Sequence, residues 1–122
     1  PGGAERVLAR VRLAEPDRRL SLLDRALAGD LGGPGAPKLW LARGQLRFER
    51  RECRDARADF ETAARLAPDD PLARLDPLAL NGIGLSSLCL EDPAAAARAF
   101  RRSLEIDPAQ PEIRGVLGQL GG

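Results

Sequence analysis

The 122-residue sequence has no histidine and no tyrosine, and only one tryptophan and three phenylalanines. Without histidine it lacks the commonest general base, the commonest transition-metal ligand and the Ser-His type of triad. Lys38 is the only lysine, so nearly all the positive charge is arginine. Acidic residues balance it to a formal net charge of +1, which leaves no broad field to draw in nucleic acid or a membrane surface. No apolar run approaches the roughly 18 residues of a membrane-spanning helix, and no basic-then-apolar leader stands at the start. The two cysteines, Cys53 and Cys89, form neither a CxxC pair nor a zinc pattern. The expectation is a pair of buried, reduced thiols in an intracellular, cytoplasmic protein, with a disulfide as the alternative. Pro1-Gly2-Gly3 and Gly121-Gly122 at the ends suggest a piece of something longer.

What the chain has is Ala, Leu, Arg and Glu, the composition of helices. The stretch 37–70 reads as two helices. Trp40, Gly44 and Phe48 recur at helical spacing in the first, and Ala56, Phe60 and Ala63 in the second, which stops at Pro68. Large and small apolar residues alternating in this way suit an antiparallel hairpin: the large ones fill the seam and the small ones let backbones approach. The stretch 77–110 repeats the pattern. Leu80, Ile83 and Gly84 lie in its first helix, Ala96, Phe100 and Ser103 in its second, and Pro108 at its end. Asp92 is placed to cap the second helix, with Pro93 at its first position. Residues 4–28 form a degenerate hairpin with stripes at Val7, Leu8 and Val11 and at Leu20, Leu23 and Leu27. The stretch 111–120 is a last single helix, a cap or a truncated repeat. The Gly/Pro-rich run 32–37 is a loop. The step from Pro68 to Pro108 is 40 residues. Residues 71–76 are the excess, read as a short helical turn broken before Pro77.

The order Trp40, Gly44, Ala56, Phe60, Ala63, Pro68 resembles the tetratricopeptide repeat, a helical hairpin of about 34 residues. The resemblance implies an all-α fold of antiparallel hairpins stacked as a right-handed α-solenoid, here about three hairpins and a C-terminal helix. One subclass writes Arg-Gly and Asp-Phe where this chain has Arg43-Gly44 and Asp59-Phe60, which predicts an Arg43–Asp59 pair across the hairpin. The resemblance also implies that first helices line a concave face that receives peptides. Carried over, that face holds Lys38, Leu41, Gln45 and Phe48, then Leu78, Asn81, Leu85 and Leu88. Asn81 and Gln45 are suited to hold a peptide backbone, and the apolar residues to hold its side chains. A branch of the family grips carboxylates with Lys, Asn and Arg, but the matching positions here are Leu41, Gln45, Gly82, Glu112 and Val116. An acidic chaperone tail is therefore not the expected ligand.

Two stretches are weighed and set aside. Arg47, Arg50, Arg51, Arg54 and Arg57 interleave with Glu49, Glu52, Asp55 and Asp59, a mixture that reads as local pairs on a solvated face. Asp69-Asp70 and Glu91-Asp92 are adjacent carboxylates at helix starts, where caps are expected rather than an acid–base pair. The expectation is a non-catalytic protein- or peptide-binding scaffold without cofactor or metal. Self-association of exposed terminal helices is the alternative.

Overall fold

The computed structural model describes residues 3–29, 36–66 and 75–121. It is all-α, with α1 (Gly3–Leu13), α2 (Pro16–Ala28), α3 (Ala36–Glu49), α4 (Cys53–Leu66), α5 (Leu75–Cys89), α6 (Pro93–Ile106) and α7 (Pro111–Gln119). Each helix packs on the next in chain order, and α3 also touches α1 and α5. The expected break before Pro77 is absent, since α5 starts at Leu75 and runs through it. Proline fits there because the first-turn amides of a helix have no intrahelical acceptor. Pro68, the acidic pair Asp69-Asp70 and most of the 71–76 insert lie outside the described residues.

The two central hairpins turn in the same way. Arg51 and Glu91 sit in the left-handed region, at φ 65° and 59°. The Arg51 and Glu52 amides donate to the Phe48 and Arg47 carbonyls. Forty residues on, Glu91 and Asp92 donate to Leu88 and Ser87. This pair of bonds closes each first helix by satisfying carbonyls its last turn leaves open. The Asp92 carboxylate then accepts from the Ala95 amide and caps α6, with Pro93 following it.

Each seam is filled by bulk against a bare backbone. Phe60 from α4 is buried with Leu41, Ala56, Ala63 and Ala79, and Trp40, Phe48 and Ile83 pack around them. Its ring lies between Gly44 of α3 and Gly82 of α5. A Cβ on Gly44 would stand 2.9 Å from Phe60 Cε1, and one on Gly82 would stand 2.5 Å from Cδ1. Phe100 repeats the arrangement against Gly84, in a cluster with Ala96, Ala97 and Leu117. Leu23 and Leu39 fill the N-terminal seam with Ala4, Val11 and Ala26.

The thiols differ from expectation: Cys53 and Cys89 form a disulfide, with their Cα atoms 6.2 Å apart. Packing α5 back along α4 brings the end of one helix to the start of the other. A sequence separation of 36 gave no sign of this. Only Cys53 is buried; Cys89 is exposed.

Candidate functional site

A charged knot fixes the first helix of the central hairpin. Arg43 donates from Nε and Nη2 to the two oxygens of Asp59, each at 3.0 Å, and from Nη1 to Asp24 at 2.9 Å. Arg47 adds a bond to Asp59 at 3.1 Å. The Asp59 side chain is 3% exposed, so it is a buried carboxylate held by two guanidinium groups. Burial disfavours the Arg43 charge, but its bonds to Asp59 and then to Asp24, with the charges of those carboxylates, outweigh that and raise its pKa above the ordinary arginine value. The guanidinium also lies 4.7 Å from the centroid of the Trp40 ring. The knot joins α2, α3 and α4.

The arginine stretch therefore does not behave as a row of local pairs. Arg47 reaches across the hairpin to Asp59, and Arg50 donates to the Pro16 carbonyl. Arg57 donates to the buried Ser87 hydroxyl and to Asp92. Antiparallel packing puts these acceptors closer to the guanidinium groups than their neighbours on the same helix.

With the knot holding α3 in place, a cleft of about 480 Å³ opens between α1 and α3. Leu8, Val11, Ala42 and Leu46 give it apolar walls. Glu5, Arg12, Arg19, Gln45 and Glu49 supply its polar groups. Residues 5, 8 and 12 share one face of α1, and residues 42, 45, 46 and 49 one face of α3. Lys38 donates to Glu5 at 2.7 Å and ties the two helices together. That bond and its charge hold the Glu5 carboxyl below the ordinary glutamate value.

The residues expected to line a peptide groove fall into three groups. Gln45 is exposed and lines the cleft, while Leu78 and Leu85 are 52% and 41% exposed and share one stripe of α5. Leu41, Phe48 and Leu88 pack into the hydrophobic clusters. Lys38 and Asn81 already have partners. Asn81 Nδ2 donates to Gln110 Oε1 at 2.8 Å, and its Oδ1 is buried without a partner. Gln110 in turn donates to the Ser103 hydroxyl and to the Ser103 and Asp107 carbonyls. Asn81 thus latches α5 to the α6–α7 joint and does not stand free in a groove.

The α1 side of the cleft was missed because α1 lacks the Trp and Gly of the repeat pattern. The available signal was Glu5, Leu8 and Arg12 at helical spacing beside the core stripe. Among the described residues, no group of three or more His, Cys, Asp or Glu side chains is arranged to hold a metal ion. No described helix is long and apolar enough to cross a membrane. No protein-family model and no curated protein matches the chain.

Proposed function

We propose that the chain is a non-catalytic peptide-binding adaptor of tetratricopeptide-repeat type, a right-handed α-solenoid that works in the cytoplasm. The duplicated turn bonding after α3 and α5 and the Phe60–Gly44 and Phe100–Gly84 seams support the repeat reading. The observation that carries the function is the open cleft between α1 and α3. Its size lies within the usual range for ligand sites, roughly 300–1,000 Å³, and it combines apolar walls with a few oriented polar groups. Gln45 offers a donor and an acceptor to an extended backbone, and Leu8, Val11 and Leu46 offer apolar contact to its side chains. Leu78 and Leu85 present a separate exposed apolar stripe on α5.

Selection from a displayed random-peptide library tests this reading. Peptides recovered on the wild-type chain are expected to lose at least tenfold in affinity on Leu46→Glu and on Gln45→Ala, with helical content unchanged. Recovered peptides that bind both variants as well as wild type would place the site elsewhere.

Self-assembly is the second reading, and one observation favours it. Gly118 follows Gly84 by 34 residues, yet a Cβ there would meet nothing within 4 Å. The position that holds an aromatic ring at Gly44 and Gly84 is open on α7. Light scattering across concentration separates the readings: a dimer abolished by Gly118→Leu supports assembly, and a monomer throughout supports the adaptor.

A further inference from the structure

The Cys53–Cys89 bond has unlike ends. Cys53 opens α4 and is 4% exposed, whereas Cys89 closes α5 and is exposed. The far ends of the same two helices are joined through residues 67–74, so the bond closes a covalent ring around the α4–α5 pair. Thiol–disulfide exchange proceeds by attack of a thiolate on one sulfur with the other leaving, so access to each sulfur decides the direction. Of the two bonded residues, Cys89 is the exposed one and Cys53 is buried. The departing sulfur would be that of Cys53, at the first position of α4, where the first-turn amides lack intrahelical acceptors. Arg57 lies one turn further on the same face. Glu52, Asp55 and Asp92 are the carboxylates of that neighbourhood, and Asp92 already accepts from Arg57 at 3.5 Å.

We propose that Cys89 is a site of reversible thiol modification that takes small thiols of the glutathione class and dithiols. An incoming thiolate bonds to Cys89 Sγ, the Cys53–Cys89 bond breaks, and its electron pair leaves on Cys53 Sγ as thiolate. A monothiol stops there, as a mixed disulfide on Cys89 with no net redox change. A dithiol continues: its second thiolate attacks its first sulfur and releases the Cys89 thiolate. The dithiol ends as a cyclic disulfide, and the protein has gained two electrons. In a reducing compartment this exchange makes the bond a transient one.

The mixed disulfide is shared by opening and closing, so the test can run from the reduced side. Reduced wild-type chain is mixed with oxidised glutathione, acid-quenched at early times, digested and mapped by mass spectrometry. At least tenfold more glutathione is expected on Cys89 than on Cys53. The single variants provide a second measurement: Cys53→Ser should form its mixed disulfide at least tenfold faster than Cys89→Ser, with circular dichroism confirming that each is helical. If Cys89→Ser unfolds, the wild-type map decides alone. Equal labelling of the two sulfurs, preference for Cys53, or loss of the helical signal on reduction overturns the proposal.

Discussion

Replacing Gly82 by alanine puts helix propensity and packing in opposition. In an exposed helix interior, Gly→Ala stabilises by about 1 kcal/mol because alanine loses less backbone freedom on folding. At Gly82 the added Cβ would stand 2.5–2.6 Å from three atoms of the Phe60 ring. That is about 1 Å inside an ordinary carbon–carbon contact. The ring has little room to swing away, because Phe60 is 3% exposed and Gly44 also lies against it. Overpacking a tight core costs about 1–3 kcal/mol. With the propensity gain deducted, Gly82→Ala should destabilise by about 1 kcal/mol. Gly115 in α7 is the control, since a Cβ there meets nothing within 4 Å. Gly115→Ala should stabilise by up to about 1 kcal/mol. The two substitutions, identical in chemistry, should therefore differ by about 2 kcal/mol and in sign. Urea unfolding followed by circular dichroism, with the m-value checked for constancy, measures both. If Gly82→Ala stabilises as much as Gly115→Ala, Phe60 is not clamped between two helices and the seam is described wrongly.

Three further outcomes are expected. Asp59→Ala should cost about 1–3 kcal/mol, because it removes three charge-assisted bonds and leaves Arg43 and Arg47 with only Asp24 as a carboxylate neighbour. A double-mutant cycle with Arg43→Ala should show coupling of at least about 1 kcal/mol, whereas additivity would refute the knot. Gln110→Ala should cost about 1–3 kcal/mol and expose the α7 amides to hydrogen exchange, since it removes the partner of Asn81 and three bonds to the end of α6. The Lys38 bond lowers the Glu5 carboxyl pKa in the folded chain, so the pair stabilises the fold above glutamate's ordinary value of 4.5. That contribution should fade as pH falls below 4.5 through the folded value. An NMR titration of Glu5 in wild type and Lys38→Ala checks it, and identical midpoints would refute the pairing.

The hairpins were legible because their determinants are local and periodic. Gly44 and Phe60 announce a close approach by their sizes, and Arg43 and Asp59, each next to one of them in sequence, were expected to pair from the resemblance to one subclass of the repeat. Determinants that join one hairpin to the next were not legible. Nothing in its own hairpin calls for a glycine at position 82; what packs against it is Phe60 from the preceding hairpin. Asn81 looked like a free amide because nothing in its own helix shows that Gln110 returns to meet it. The α1 wall of the cleft carries none of the repeat's marker residues, only polar and apolar positions at the right spacing. Pro77 was read as a break because its position within the first turn of α5, which makes it harmless, depends on where the helix begins.

The Cys53–Cys89 bond also governs how the chain would respond to being pulled from its ends. Tension would run through the bond and bypass the intervening stretch, so α5 and nearly all of α4 would carry no load. The 36-residue span contributes about 120–130 Å of length when fully drawn out. A single molecule stretched with the bond closed would stop short by about that length, and the missing extension would appear when a thiol was added to the bath.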